Sequence, residues 1–186
     1  MIYPLKLEYA LYLVGLALIF SHSWAFFKPE ETKRWLQALP RDKALGVFFV
    51  TIAAAWFYWL VKSMDLGEFS SWRERVLYAI PVIWFLTWYF VDEFLAVRGL
   101  GMLVLLGAEP LLESAFLRPE TSRLLLVTLV YVWIAFSLFW IGMPFTLRDQ
   151  IAWLTRSPQR WRLATFGGLA YGVLLLLLPL FFAKSG

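Results

Sequence analysis

Two glutamates, Glu109 and Glu113, have the spacing in this sequence that best suits proton or ion chemistry. Residues four apart share one face of a helix, so the two carboxylates would lie one above the other. If residues 99–117 cross a membrane, Glu109 lies near mid-depth, where a carboxylate is costly, usually functional, and raised in pKa unless it is paired. The alternative is that the chain breaks at Pro110 and that residues 109–118 form an interfacial helix on the outer side.

A second acidic group, Asp92 and Glu93, precedes Arg98. These three residues could form an ion site or a gate at the cytoplasmic end of a helix. The alternative is a local ion pair where the helix leaves the membrane, and exposed pairs of this kind contribute little stability. Asp92 is therefore the third candidate for an ion or proton site. Arg98 and Arg123 are also the two residues that could pair with Glu109, depending on the depth of Glu109 in the membrane.

His22, within the stretch FSHSW, is the only histidine of the chain. Its imidazole could ligate a pigment or the edge of a haem, or it could relay protons. The alternative is a packing residue that forms hydrogen bonds near the end of a helix. Ser21 and Ser23 flank it, but no acidic residue lies within four positions, so the sequence does not support a hydrolytic triad.

The remaining composition excludes several kinds of site. The chain has no cysteine, which excludes disulfides, thiolate metal sites, iron–sulfur clusters and cysteine nucleophiles. A single histidine excludes a metal site with several histidine ligands from this chain alone. No catalytic constellation and no nucleotide motif is present, so we expect no enzyme activity, no metal and no cofactor unless His22 ligates one.

These residues must be positioned by elements that suit a very apolar chain. Hydrophobic residues make up 61% of the 186 positions and charged residues only 16%, whereas soluble chains carry about 25% charged residues. A bilayer removes the need to hide so much apolar surface from water. The net charge of +4 suits anionic lipid headgroups better than nucleic acid, since no basic run with stacking aromatics is present.

Six segments are apolar enough to be candidate spans, which need about 20 mostly apolar residues each. The predicted fold is an all-α integral membrane protein with a single transmembrane domain over residues 1–186. It comprises three helical hairpins, over residues 9–61, 76–117 and 124–183. The six predicted spans are residues 9–27, 44–61, 76–91, 99–117, 124–147 and 163–183.

Charge placement predicts the topology, because basic residues collect in short cytoplasmic loops. Loop 28–43 carries five basic residues, and loop 148–162 carries four. Both loops can face the cytoplasm only if an even number of spans separates them, so 99–117 must cross in addition to the three other segments between them. We therefore predict six spans with both termini outside. The alternative is five spans, with 99–117 re-entrant or lying at the interface.

The two basic loops also resemble each other. A shift of 118 residues superposes Trp35 on Trp153 and Pro40 on Pro158. In each copy an apolar helix is followed by an amphipathic stretch that carries an acid, a tryptophan–leucine pair, a proline and basic residues. The pattern indicates a parallel duplication of a helical hairpin. The alternative is that interfacial loops are generally rich in tryptophan, proline and arginine.

Both loops are suited to the lipid headgroup region or to a partner protein. Pro29 can begin a short helix, because the first turn does not use its missing N–H. Trp35, Leu36 and Leu39 are then expected to dip into the headgroup boundary while basic side chains reach the phosphates. The residues assigned to headgroup or partner binding are Lys33, Arg34, Trp35, Arg148, Trp153, Arg156 and Arg160.

The hairpin over residues 12–61, centred on ALIFSHSWAFFKPEETKRWLQALPRDKALG, resembles the small two-helix bacterial inner-membrane proteins of unknown function called YjeT-like. The shared pattern is an apolar helix, a proline with a basic and aromatic amphipathic stretch, and a second helix that opens with arginine and glycine. Residues 130–179 repeat it, with Arg162 and Gly167 in that opening. The acidic–glycine pair usual late in the family's first helix is absent near His22. The resemblance implies a bacterial inner (cytoplasmic) membrane and no particular activity.

Three classes of function are compatible with these features. The first is a non-catalytic integral membrane subunit, or an assembly or stabilising factor, of a larger membrane protein complex. It would act through helix packing and cytoplasmic amphipathic loops, with membrane lipids and other membrane subunits as partners and no nucleic acid. The second is a small transporter or ion conductor that uses Glu109 and Glu113. The third is a cofactor-, pigment- or lipid-binding membrane protein that uses His22. The lack of a catalytic constellation favours the first class.

Overall fold

The computed structural model describes residues 3–90, 93–121 and 123–182, and the regular secondary structure in these ranges is helical throughout. The predicted all-α fold class is therefore confirmed. Two short 3₁₀ segments, Leu39–Arg41 and Gly67–Trp72, connect longer helices. The α-helices are α1 (Leu7–Phe27), α2 (Pro29–Ala38), α3 (Lys43–Ser63), α4 (Arg73–Phe90), α5 (Leu95–Ala115), α6 (Arg123–Gly142), α7 (Phe145–Thr155) and α8 (Pro158–Phe182).

Five helices within the described ranges are long and apolar enough to cross a membrane: α1, α3, α5, α6 and α8. α5 is a continuous helix of 21 residues, and it is the most buried of the five. The sequence analysis questioned the span 99–117, most of which forms α5. The helix that is not apolar enough to qualify as a span is instead α4. That helix has 18 residues and begins with three charged side chains, Arg73, Glu74 and Arg75.

Glycines let α5 pack closely between α3 and α6. A Cβ on Gly46 of α3 would lie 2.7 Å from the backbone nitrogen of Ala96, and a Cβ on Gly99 would lie 3.0 Å from Val50. The contacts pair residue 46 with residue 96 and residue 50 with residue 99. Residue numbers therefore increase in the same direction along α3 and α5, and the two helices are parallel. Gly101 lies against Ile141 near the far end of α6, so α5 and α6 are antiparallel.

α4 connects the parallel helices α3 and α5 in the sequence and runs in the opposite direction to them. The Arg73 guanidinium donates to the carbonyl of Met64 at 2.7 Å, just beyond the end of α3. Further along α4, Trp84 Nε1 donates to Thr51 Oγ1 at 3.0 Å, near the middle of α3. α4 is therefore antiparallel to α3. It runs alongside α3 from Met64 to about Thr51.

The bundle has two ends with different charge. We call one end the loop face; it comprises α2, the Leu39–Arg41 turn, α7 and the helix ends that join them. The other is the opposite face, which includes residues 3–6 and the Gly67–Trp72 segment. Among the described residues, ten basic and five acidic side chains lie at the loop face, against six basic and seven acidic side chains at the opposite face. The basic residues of the loop face are Lys28, Lys33, Arg34, Arg41, Lys43, Arg98, Arg148, Arg156, Arg160 and Arg162.

Two clusters of buried apolar residues hold these helices together. One joins α1, α5, α6 and α8 in the half of the bundle near the opposite face, and it includes Leu11, Leu126 and Leu175. The second lies at the loop face and joins the Leu39–Arg41 turn, α5 and α7. In lipid, helices associate through close van der Waals packing and hydrogen bonds, because lipid chains are as apolar as the side chains.

Prolines explain where two predicted boundaries are wrong. The predicted span 124–147 ends at Gly142 in the structure, because Pro144 disfavours helical backbone at the residue before it. The last residues of that segment belong to α7. The predicted span 163–183 begins earlier, at Pro158, where the first helical position does not use the missing N–H.

Pro110 does not break α5, which continues to Ala115. The interfacial helix considered for residues 109–118 is therefore not formed. Because α5 begins at Leu95 rather than at residue 99, Glu109 lies four residues past the middle of the helix. Glu109 is six residues from the C-terminal end of the helix, which is about 9 Å at 1.5 Å per residue.

Candidate functional site

The short helices α2 and α7 touch each other and form a plate across the loop face. Gln37 Nε2 donates to Thr155 Oγ1 at 3.0 Å, and these two residues are related by the same 118-residue shift as the sequence repeat. Each copy has the order apolar helix, short helix, apolar helix. The copies do not pack symmetrically, since α1 contacts α8 directly whereas α5 separates α3 from α6.

The aromatic residues predicted at this plate are exposed to a similar degree, with Trp35 at 53% and Trp153 at 57%. The expectation that Leu39 dips into the headgroup boundary is wrong. Leu39 is buried against Ala96 and Val97 of α5, and Leu36 packs against the same cluster. The plate therefore turns one side to the bundle and leaves its tryptophans outside.

The predicted headgroup-binding cations differ in how far they are already engaged. Lys33 Nζ lies 2.9 Å from Glu30 Oε1, and this hydrogen bond lowers the pKa of the Glu30 carboxyl. Arg148 pairs with Asp149 at 2.9 Å, and the Arg160 guanidinium lies 4.4 Å from the centre of the Trp153 ring. Arg34 and Arg156 are exposed and make no ion pair with any described residue. Exposed arginines of this kind are available to phosphate groups.

His22 packs between α1 and α8. Its Nδ1 lies 2.8 Å from the carbonyl oxygen of Leu18, so the nitrogen that carries the proton in this bond is Nδ1. The ring lies directly against Gly168 of α8, where an added Cβ would overlap Cδ2, Nε2 and Cγ. The imidazole is thus a packing residue on a glycine surface, with a backbone partner on its own helix.

Gly168 and Gly172 of α8 have the four-residue spacing of a GxxxG motif, and both contact α1 within the chain. A Cβ on Gly172 would lie 2.9 Å from the carbonyl oxygen of Gly15, and a Cβ on Gly15 would lie 3.0 Å from the carbonyl oxygen of Gly172. The two backbones therefore meet at this crossing, as small residues allow in membrane helices. Gly167, one position away, has nothing within 4 Å of an added Cβ.

Trp161, which sequence reasoning did not single out, divides two cavities at the loop face. It is buried, and its Nε1 donates to the carbonyl of Ala25 at 3.2 Å. The cavity of about 750 Å³ on one side is lined by His22, Glu31 and Trp35, among others. The smaller one, about 480 Å³, is lined by cationic and aromatic side chains. Nothing in the spacing of Trp161 identifies it, since it is one of eleven tryptophans.

Two of the candidate ion or proton residues, Glu109 and Glu113, line one open cavity of about 500 Å³ near the end of α5. Glu109 is exposed and makes no ion pair within the described residues, so neither proposed arginine partner engages it. Arg98 lies 11 residues before Glu109 on the same helix, which is about 16 Å along the helix axis. Asp92 lies outside the described residues. The Nε atom of Arg98 is buried and has no hydrogen-bond partner among the described residues.

Glu113 lies at the opposite face and binds the N-terminal segment. The backbone N–H of Tyr3 donates to Glu113 Oε2 at 3.2 Å, and Trp56 Nε1 donates to Tyr3 Oη at 2.6 Å. The pKa of the Tyr3 phenol is raised, mainly by burial and also by the charges of Glu109 and Glu113. The hydrogen bond from Trp56 acts in the opposite direction. The Glu113 carboxylate therefore holds Tyr3 against α5.

An apolar crevice of about 330 Å³ lies between α3, α4 and α5 at mid-depth. Its floor includes the small residues Ala53 and Ala54, and Ile83 and Trp84 of α4 form one wall. The outer side of α4 is exposed along its length and rich in aromatic side chains. The exposed large side chains of α4 are Tyr78, Val82, Ile83, Phe85, Leu86, Trp88, Tyr89 and Phe90.

No group of three or more histidine or acidic side chains placed to hold a metal ion occurs among the described residues. Comparison of the chain with protein-family models, with curated proteins and with solved structures finds no match.

Proposed function

We propose that this chain is a non-catalytic integral membrane subunit, or an assembly factor, that binds a transmembrane helix of a partner protein along α4. The observation that carries the proposal is the apolar crevice between α3, α4 and α5, which continues into the exposed face of α4. α4 packs mainly on α3 and has one buried side chain, Ile80, among its described residues. The edge of the bundle is therefore incomplete at this helix.

The chemistry of the crevice specifies the partner. Its lining is almost wholly apolar and lies at the depth of Val50 to Phe57 on α3, so a charged or strongly polar occupant would be costly there. Small residues at its floor, Ala53 and Ala54, permit a close approach of another helix. Next to it, Trp84 and Trp88 stack at 6.2 Å, and such rings offer rigid contact surface with few rotatable bonds. An apolar helix with one bulky side chain over the two alanines fits this surface.

The transport alternative has weaker support. Glu109 and Glu113 lie near one end of α5, and the helix from Gly99 to Ala108 carries no charged residue. A conducting path through the bundle needs polar groups at successive depths, and the two carboxylates supply them at one level only. The cofactor alternative is weakened by the packing of His22 against Gly168.

The proposed setting is a bacterial inner membrane, with six crossings, the loop face in the cytoplasm and both chain ends outside. The excess of basic residues at the loop face supports this orientation. The count of six is supported by α4, which returns antiparallel between the parallel helices α3 and α5. Four helices then separate the two basic loops, an even number, as their shared side requires.

Photo-crosslinking in native membranes tests the proposal. A benzophenone amino acid at Ile83, which lines the crevice, is expected to give a discrete product of higher mass that contains a second membrane protein. Leu16 of α1 is the matched control, since both side chains are apolar and 59% exposed. Equal protein adducts from both positions, or lipid adducts alone from Ile83, would contradict a partner helix at α4.

A further inference from the structure

The smaller cavity beside Trp161 has the polarity of a phospholipid binding site. It has a volume of about 480 Å³ and opens at the loop face, between the end of α1, the start of α2 and the start of α8. Sequence reasoning assigned basic residues of the two loops to headgroups in general but did not place any cavity among them. The residues that line it are Phe26, Pro29, Lys33, Pro158, Trp161, Arg162, Thr165 and Phe166.

Two cations from different helices face this one cavity. Lys33 of α2 is held by Glu30 at 2.9 Å and lies 5.5 Å from the centre of the Trp161 ring, and its side chain is only 20% exposed. Arg162 of α8 is exposed and makes no ion pair with any described residue. With Glu30 neutralising one charge, the group carries a net charge of one positive unit. This charge matches the single negative charge of a phosphodiester.

Below the cations the cavity wall is aromatic. Phe166 follows Arg162 by four residues, so it lies on the same face of α8 and about 6 Å further into the bundle. Phe26 of α1 packs edge-on against Phe166, with ring centres 5.2 Å apart. The cavity is therefore cationic at its rim and apolar beneath, in the same order as a phospholipid from its headgroup to its acyl chains.

We infer that this cavity binds a phosphate group through Lys33 and Arg162, and that the phosphate is that of an anionic phospholipid whose acyl chain lies along Phe26 and Phe166. A free phosphate offers the same anionic oxygens to the two cations but has nothing to place against the two phenylalanines. None of the residues that line this site belongs to α4. The site is thus independent of partner binding at the crevice.

Native mass spectrometry of the detergent-purified protein tests the site with three probes: phosphatidylglycerol, phosphatidylcholine and inorganic phosphate. The wild type is expected to retain phosphatidylglycerol in preference to the other two. Arg162→Gln and Lys33→Gln are each expected to weaken its binding by about fivefold, since one Lys or Arg near anionic lipid is worth about 1 kcal/mol. Arg162→Lys keeps the charge and should retain most of the binding.

Each variant has a matched control that removes the same charge from the same face. Arg41→Gln lies outside the cavity and controls for Arg162→Gln. Lys28→Gln also lies outside the cavity and controls for Lys33→Gln, because each removes a lysine that is paired with a glutamate three positions away. Both controls are expected to change binding by less than about twofold. An equal loss in the variants and their controls would overturn the site in favour of diffuse surface attraction.

Phe166→Ala distinguishes the two sources of phosphate. It is expected to weaken retention of phosphatidylglycerol and to leave any binding of inorganic phosphate unchanged, because only the lipid reaches the aromatic wall. Inorganic phosphate that binds as tightly as phosphatidylglycerol and displaces it would overturn the lipid assignment. So would a failure of the wild type to retain phosphatidylglycerol in preference to phosphatidylcholine.

Discussion

At the scale of single residues, the imidazole of His22 lies on the backbone of Gly168, and a methyl group there would overlap the ring. Gly167 on the same helix has open space at the same position. We expect Gly168→Ala to lower the free energy of unfolding by about 1–3 kcal/mol, the usual cost of inserting a methyl group into a packed contact. Gly167→Ala should be neutral or stabilising by up to about 1 kcal/mol, because alanine favours helix over glycine.

Unfolding in detergent, followed by circular dichroism, measures both changes. The double variant His22→Ala/Gly168→Ala should recover part of the loss, because the smaller side chain vacates the space that the methyl group needs. If Gly168→Ala and Gly167→Ala were equally stable, the His22 ring would not be packed against Gly168 as the structure has it.

Glu109 provides the residue-scale test between a structural subunit and a transporter. We expect Glu109→Gln to insert, fold and assemble normally, with a change in stability below about 1 kcal/mol, because the side chain is exposed and unpaired among the described residues. Thermal unfolding and proton flux in reconstituted vesicles measure the two effects. Loss of a wild-type proton flux in a variant that assembles normally would favour the transporter.

At the scale of elements, the contact between α2 and α7 joins the two hairpins at the loop face. Gln37 and Thr155 are within hydrogen-bond distance, and the chain has no native cysteine. In the variant Gln37→Cys/Thr155→Cys we expect rapid cross-linking by a short bifunctional thiol reagent. The product is seen as a shift in gel mobility after cleavage of the chain between Ser63 and Ser71, which separates both thiol pairs. The pair Gln37→Cys/Ser71→Cys places the second thiol in the segment Gly67–Trp72 and should not react.

Cross-linking of the control pair at a similar rate would mean that the two segments are not at opposite ends of the bundle.

The loops, the helix order and the start of α2 at Pro29 are all readable in the sequence, because they depend on local composition. The insertion of α5 between α3 and α6 is not readable in this way. It depends on how Gly46, Gly99 and Gly101 meet backbones that are far away in the chain.

At the scale of the whole molecule, the charge difference between the two faces predicts the orientation in the membrane. We expect Arg34→Cys and Gln159→Cys, both exposed at the loop face, to be shielded from an impermeant thiol reagent in intact cells. Ser71→Cys, exposed at the opposite face, should be labelled from outside. Labelling of either loop-face cysteine before lysis would contradict the proposed topology.

The amino-acid sequence alone determined the class of the protein and the position of most of its helices. Long apolar runs, the proline at the first position of α2 and charges confined to the ends follow from the cost of placing ions and unpaired backbone groups in lipid. The same reasoning located both basic loops and the shift of 118 residues that relates Gln37 to Thr155.

Only the tertiary structure decided which helices touch, and hence which residues could act together. Every face of a membrane helix is apolar, so hydrophobicity does not distinguish the face that meets another helix from the face that meets lipid. Neighbours are chosen by shape, such as the backbone contact of Gly15 with Gly172 and the ring of His22 on Gly168. For this reason Lys33 and Arg162, 129 positions apart in the sequence, become neighbours in one cavity only in the folded chain.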